Sequence, residues 1–143
     1  TMSTLKVTNV KHETSGINTL VFDNGGSSGG NGRVTTKGTI GEISAVSYAS
    51  TLTLDFRTAN NFSTTLTGNV TIANPSNISA GQSGVIFITQ DGTGSRTAAF
   101  GSYWDFSDGT APTLSTGASA VDMIAWIARS STKISAQFTG NFS

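Results

Sequence analysis

The stretch AVDMIAWIARSSTKISAQFTGNF, residues 120–142, decides the fold of this chain. Its first arm, residues 121–128, is apolar at every position except Asp122. Successive side chains of an extended strand point to opposite faces, so both faces of this arm carry apolar side chains. Such a strand is expected in the centre of a sheet or against another subunit.

The second arm of this stretch alternates apolar and polar residues. Residues 134–139, ISAQFT, have the period of two that is typical of a strand with one solvated face. The residues between the arms, RSSTK at 129–133, can close a tight reversal. The two arms together predict a β-hairpin. A helix over residues 118–129 is the alternative, because Ala and Met favour helices.

Length and composition limit the class of protein. The 143 residues correspond to about one domain, since domains usually span roughly 100–200 residues. The absence of Cys excludes disulfides, thiolate catalysis and Cys-based zinc sites. Formal net charge is zero, charged residues are only 11%, and the chain contains 20 Ser, 23 Thr and 17 Gly. This neutral, hydroxyl-rich composition argues against nucleic-acid binding and indicates an all-β virion-like or extracellular domain.

The sequence also bears on location. No run of about 18 apolar residues occurs, so no membrane insertion is expected. The first residues, TMSTLKVTNVKHE, lack the apolar stretch and cleavage pattern of a signal peptide. An extracellular composition without an export signal predicts a protein made in the host cytoplasm and released inside a virus particle.

A segment rich in Gly and Ser, NGGSSGGNG at residues 24–32, divides the chain. Such a segment cannot pack a core and is typical of a linker. We therefore predict an N-terminal β arm and linker at residues 1–32 and a β-sandwich domain at residues 33–143. Turn residues recur at short spacing past Arg33, which predicts a jelly-roll-like sandwich. Over the whole chain we expect eight to ten short strands and assign no helix.

The individual strands follow from period and turn signals. The predicted strands that precede the hairpin are residues 33–40, 42–48, 50–57, a pair within 61–73 that meets at Gly68-Asn69, 85–88, and 97–100. In the third of these, Leu52, Leu54 and Phe56 are expected to point inward. The DGTGS segment at 91–95 tolerates positive φ, so residues 97–100 are expected to return antiparallel to residues 85–88.

Two blocks of this sequence resemble tail-fibre proteins of bacteriophages, particularly marine and cyanobacterial phages. The first is LKVTNVKHETSGINTLVFDNGG followed by NGRVTT, within residues 5–36. The second is AGQSGVIFITQDGTGSRTAAFGSYWDF at 80–106 together with AVDMIAWIARSSTKISAQF at 120–138, which is similar to C-terminal β-rich heads of such fibres. The resemblance implies a virion-borne, usually homotrimeric β-protein that contacts other virion proteins and either binds a host surface or decorates the particle. A capsid decoration (cement or knob) protein is thus the alternative to a tail fibre.

Four neighbouring residues are candidates for binding a host cell-surface glycan: Tyr103, Trp104, Asp105 and Asp108. An aromatic face beside hydrogen-bonding groups suits a sugar, but Trp104 can equally anchor a core or a subunit interface. Asp105 and Asp108 could present carboxylates to Ca²⁺, although aspartates near Gly more often form turns. No metal ion or cofactor is therefore expected.

The surplus of apolar residues in 85–88 and 121–128 predicts a homotrimer, because closed symmetry would bury the excess. The interface candidates are Val121, Met123, Trp126 and Phe138.

No catalytic residues emerge, so a non-enzymatic protein is expected. The single histidine, His12, has no nucleophile or metal partner beside it. A depolymerase-type hydrolase, the remote alternative, would have to draw a carboxylate pair from the aspartates at 91, 105, 108 and 122.

Overall fold

The computed structural model describes residues 40–142, which form nine short β-strands and one single-turn 3₁₀ helix, Ser107–Gly109. The strands are β1 (Ile43–Ala45), β2 (Thr51–Leu52), β3 (Asn61–Leu66), β4 (Val70–Ile72), β5 (Ser83–Gln90), β6 (Ala98–Phe100), β7 (Trp104–Phe106), β8 (Val121–Ser130) and β9 (Lys133–Thr139). The predicted all-β fold is confirmed. The predicted arm and linker at 1–32, and nearly all of the predicted strand at 33–40, lie outside the described residues, so the domain boundary stays a prediction.

The C-terminal hairpin is present as predicted. Strands β8 and β9 pair antiparallel, with Ile124 opposite Phe138 and Trp126 opposite Ala136. On its other side β8 pairs antiparallel with β5, so it occupies the central position that its two apolar faces predict. Residues 121–130 are extended, and the helical alternative is therefore wrong.

The strands form two mixed or parallel sheets. The larger has six strands in the order β1-β3-β5-β8-β9-β7, and the smaller has three in the order β2-β4-β6. All pairs of the smaller sheet are parallel, as are β1 with β3, β3 with β5, and β7 with β9 in the larger one. Only β8 therefore runs against the other strands of the larger sheet.

The chain alternates between the two sheets as it advances. Strands β1, β3, β5 and β7 lie in the larger sheet, and the strands between them, β2, β4 and β6, lie in the smaller one. Each return to the larger sheet adds a strand parallel to the last, as in a short solenoid of β-coils. The β8–β9 hairpin is inserted between β5 and β7. The jelly-roll arrangement is not confirmed, because jelly rolls are built from antiparallel strands.

Two predicted local pairings differ from the structure because a short connection leads the chain onto the other sheet. Strands β3 and β4 do meet at Gly68-Asn69, but they belong to different sheets. Residues 98–100 do not return antiparallel to β5 either, and instead pair parallel with β4. A short connection can thus turn the chain onto the second sheet as readily as back along the first.

The loop after β5 shows how this turn is built. The carboxylate of Asp91 accepts hydrogen bonds from the backbone N–H groups of Thr93 (3.0 Å) and Gly94 (2.9 Å) and from the Arg96 guanidinium (2.7 Å). The Gln90 side chain, which is buried, bonds both backbone groups of Arg96 at 2.9 Å. The guanidinium, followed by the Gly94 N–H, holds the pKa of Asp91 below its ordinary value. These contacts wrap the chain around two side chains, so a tight hairpin cannot form.

The buried apolar residues of the described chain form one core cluster, which draws residues from both sheets. Leu52, Leu54 and Phe56 are buried as predicted, although the segment has only the two-residue strand Thr51–Leu52 and an isolated β-bridge from Asp55 to Ser76. Phe56 stacks on Trp126 with ring centroids 4.1 Å apart. The alternation of apolar and polar residues therefore predicts which side chains face the core better than it predicts the length of the strand.

A buried carboxylate ties the loop before β8 and the C-terminal segment to the core. The Asp122 side chain has no solvent exposure. One of its oxygens accepts a hydrogen bond from the Ser115 backbone N–H at 2.8 Å, and the other accepts one from the Asn141 N–H at 3.0 Å. We call this pair of bonds the Asp122 clamp.

Candidate functional site

The outer face of the larger sheet, which points away from the shared core, has an apolar centre. In β5 and β8 the residues with even numbers face the core, and those with odd numbers face outward. The outward apolar residues, which we call the apolar strip, are Val85, Phe87, Val121, Met123, Ala125 and Ile127. Five of them are partly exposed and Ile127 is 48% exposed. This face therefore presents apolar side chains that the described residues leave partly uncovered.

Beside this strip lies a shallow, open groove of about 600 Å³. We call it the β7–β9 groove. Its outward lining comes mainly from Asp105, Ala125, Ile127, Arg129, Ser135 and Gln137. The strand register explains the convergence, since Ser135 of β9 lies opposite both Asp105 of β7 and Ile127 of β8. The β8–β9 hairpin and the earlier strand β7 thus contribute to one surface.

An ion cluster closes one end of the groove. One oxygen of Asp105 accepts a hydrogen bond from the Arg129 guanidinium, and the other accepts one from the Lys133 ammonium at 3.2 Å. Lys133 also donates to the Ser102 carbonyl at 3.3 Å. The three charged side chains are each between 39% and 53% exposed. Their formal charges sum to +1; Asp105 and Arg129 line the groove, and Lys133 reaches it through Asp105.

The other ion pairs of the described residues are one-to-one. Arg57 lies 3.5 Å from Asp55, and Arg96 lies 2.7 Å from Asp91. A hydrogen bond from the Asn77 amide, followed by one from the Arg57 backbone N–H, lowers the pKa of Asp55. Within residues 40–142, the Asp105 cluster is the place where two cations share a carboxylate.

The structure separates the four ligand candidates. Trp104 is only 6% exposed, its indole N–H donates to the Ala73 carbonyl at 3.1 Å, and its ring meets Phe56 edge-on. Trp104 therefore lies where a core anchor would lie, which is the alternative to a sugar-binding role. Tyr103 is half-buried, and its backbone N–H donates to the Asn74 side chain at 2.9 Å.

The two acidic candidates lie in different surroundings. Asp105 lies in the groove, whereas Asp108 is exposed in the 3₁₀ turn with a φ of 58°, a turn conformation. Of the four candidates, Asp105 is thus the one whose side chain the structure places on a candidate binding surface. Ligand binding by these residues stays a prediction.

The interface candidates also divide between the two faces. Val121 and Met123 belong to the outward apolar strip. Trp126 is 3% exposed and stacked on Phe56, and Phe138 is half-buried against the core cluster. The first two are therefore accessible to a second subunit in a way that the Trp126 ring is not.

Sequence patterns do not identify Arg129 and Lys133 as site residues, because the RSSTK segment predicts only a turn. A signal existed for Arg129, because a period of two places it on the same face as Ala125 and Ile127. Its partnership with Asp105 depends on the parallel pairing of β7 with β9, which joins residues about 30 positions apart. Local periodicity cannot show such a pairing.

Two further searches cover residues 40–142 only. They contain no group of three or more His, Cys, Asp or Glu side chains that could hold a metal ion. No helix within this part of the chain is long and apolar enough to span a membrane.

Comparison with known proteins gives one finding on family. Residues 48–129 match the family described as "Putative phage tail fibre C-terminal domain". Neither the curated proteins nor the solved structures gave a match.

Proposed function

Because the chain belongs to the phage tail fibre C-terminal domain family and is thus a virion component that contacts other virion proteins, we propose that it is the host-contacting domain of the fibre. In this proposal the β7–β9 groove binds a saccharide on the bacterial surface. The domain is non-enzymatic in this proposal, in line with the structural character of the family.

The position of the groove carries this proposal. The described chain begins at β1, which forms one edge of the larger sheet, and β7 forms the opposite edge. Neighbouring strands lie about 4.8 Å apart, so five strand intervals place these edges roughly 24 Å apart. The groove therefore lies at the sheet edge opposite β1, and in this proposal that edge meets the receptor. Residues 1–32 serve in this proposal as the arm towards the rest of the particle.

The chemistry of the groove supports the same function. Ala125 and Ile127 give an apolar floor, and Ser135 and Gln137 add a hydroxyl and an amide. Sugar rings present C–H faces and hydroxyl groups, which such a mixture can contact and hydrogen-bond. Specific polar groups set in an apolar concavity are the usual composition of ligand sites.

A competition assay tests this proposal. Purified chain added to host bacteria should slow adsorption of the phage, because both occupy the same receptor. The Ser135→Tyr variant should lose this competition, since the added ring fills the groove, while Tyr is well tolerated on a strand. Thr71→Tyr is the matched control, because Thr71 is exposed at the middle of β4 in the smaller sheet. If the Ser135→Tyr chain competes as well as the unaltered chain, the receptor does not bind in this groove.

The proposal includes assembly as a homotrimer through the four residues of the apolar strip that do not line the groove, Val85, Phe87, Val121 and Met123. Support comes from the partly exposed Phe87 and Met123, which lie opposite each other at the centre of the strip. Three copies around a closed axis would cover this surface on every subunit. Sedimentation equilibrium should give three times the 14.7 kDa of one chain. A folded monomer at micromolar concentration would contradict the trimer.

A further inference from the structure

The described domain is acidic overall, yet the ion cluster at its groove has a net positive formal charge. Residues 40–142 contain six acidic and four basic side chains, a formal charge of −2. Two of the four basic side chains, Arg129 and Lys133, meet at Asp105 in the groove. Half of the basic residues are thus concentrated in one cluster that keeps a charge of +1. An anionic group near this cluster gains attraction that the rest of this surface would not give it.

Asp105 also orients the donors of this cluster. It accepts one hydrogen bond from a terminal nitrogen of the Arg129 guanidinium, which has five N–H donors in a rigid fork. Within residues 40–142, the Arg129 side chain makes no other hydrogen bond, and it is 53% exposed. A guanidinium held in this way presents its remaining donors with little further loss of side-chain freedom, and such forks match planar carboxylates.

The side chains near Arg129 indicate which other chemical groups a matching ligand would carry. Ile127 lies two residues before Arg129 on the same outward face, and Ser135 lies opposite Ile127. The apolar Ile127 and the cationic fork of Arg129 therefore follow one another along β8, and the Ser135 hydroxyl lies across from Ile127 on β9. This order suits a ring with one C–H face, hydroxyl groups and a single negative charge.

From this arrangement we infer that the β7–β9 groove selects an acidic saccharide, one whose ring carries a carboxylate. The inference rests on the proposed receptor-binding function and deepens it by naming the class of receptor. The charge of a carboxylate, −1, matches the +1 of the cluster. A phosphate monoester would carry about −1.5 to −2 at neutral pH and bring an excess of negative charge next to the Asp105 carboxylate.

Calorimetric titration of the full chain with three probes of equal length tests the inference. They are an oligogalacturonate, the galactose oligomer that results when its carboxylates are reduced to hydroxymethyl groups, and a phosphorylated galactose oligomer. The oligogalacturonate should bind about tenfold more tightly than the neutral oligomer, the scale of one charge-assisted hydrogen bond. It should also bind more tightly than the phosphorylated oligomer, and its advantage should shrink in high salt.

Substitutions test whether Arg129 produces the preference for the acidic probe. Arg129→Gln should abolish the advantage of the acidic probe over the neutral one, and Arg129→Lys should restore part of it, because charge returns without the fork. Arg57→Gln is the control, since this arginine is 76% exposed and lies in a different one-to-one pair. Melting curves of all variants should coincide within a few degrees, because every exchanged side chain is at least half exposed.

The outcomes separate the inference from the function on which it rests. Equal binding of acidic and neutral probes, absence of binding, or a preference that survives Arg129→Gln would each overturn the acidic-saccharide inference. Tighter binding of the phosphorylated oligomer would overturn the choice of carboxylate. If any of these occurs while the Ser135→Tyr chain has lost its ability to compete with the phage, the receptor-binding function stands. If the Ser135→Tyr chain competes as well as the unaltered chain, both the inference and the function fail.

Discussion

Removal of the Asp122 clamp should destabilise the domain strongly. The variant Asp122→Asn keeps the size and shape of the side chain, but it replaces one carboxylate oxygen with an NH₂ group. That group would face a backbone N–H of Ser115 or Asn141, at a position where the carboxylate now accepts a hydrogen bond of 2.8 or 3.0 Å. Because two donors cannot bond each other, at least one of the two bonds is lost.

The size of the effect follows from the burial of the side chain, which has no solvent exposure. A hydrogen bond to a charged group contributes about 1.5–3 kcal/mol, and a buried donor left unpaired costs a similar amount. We therefore expect Asp122→Asn to lower the free energy of unfolding by about 2–4 kcal/mol, a large part of the roughly 5–15 kcal/mol that stabilises a typical domain. The melting temperature should fall by roughly 5–15 °C for a domain of this size.

Thermal and urea unfolding followed by circular dichroism measure this change. Asp108→Asn is the matched control, because Asp108 is exposed and Asn tolerates its positive φ, so its effect should stay within about 0.5 kcal/mol. Hydrogen exchange adds a local test, since the amides of Ser115 and Asn141 should lose protection first. Equal stability of the two variants would refute the assignment of a clamp.

Three other predictions follow from the core, the apolar strip and the loop after β5. Trp104→Ala should cost roughly 3–5 kcal/mol in unfolding free energy, because the ring is 6% exposed; melting near the unaltered temperature would show that the ring is no core anchor. Met123→Glu should convert the proposed trimer into monomers in sedimentation runs, whereas Thr71→Glu on the smaller sheet should not. Since the pKa of Asp91 is lower in the folded chain, its stabilising effect is complete above the ordinary value of about 3.9 and is lost as pH falls through the lowered pKa. The Arg96→Gln variant should therefore lose less stability than the unaltered chain over that acid range, and identical acid unfolding curves would contradict this explanation.

Local periodicity was sufficient to predict the hairpin and the inward side chains at 52, 54 and 56. Both features depend on alternation within one segment, and the apolar faces of β8 also indicated its central position. The connectivity was beyond such patterns, because a strand shows its faces but not its neighbours. Three residues separate β3 from β4, and the sequence there fits a hairpin as well as a step between sheets. The choice depends on the parallel pairing of β3 with β5, which lies more than 20 residues away.

The candidate site was predictable only in part. Asp105 was identified because of the aromatic residues beside it, yet its neighbour Trp104 points into the core. The side chains that do surround Asp105 come from β8 and β9, whose pairing with β7 is non-local. The Asp122 clamp was missed for a similar reason. A single acidic residue in an apolar strand indicates burial, but its backbone partners lie in segments without regular structure.

The location of this chain in the particle tests the central claim most directly. Electron microscopy of the phage labelled with gold-conjugated antibodies to residues 40–142 would measure it. The proposed function predicts gold at the distal ends of the tail fibres, together with loss of adsorption when the antibodies are bound. Gold distributed over the capsid shell, with adsorption unchanged, would contradict the host-contacting function and favour the alternative of a capsid decoration protein.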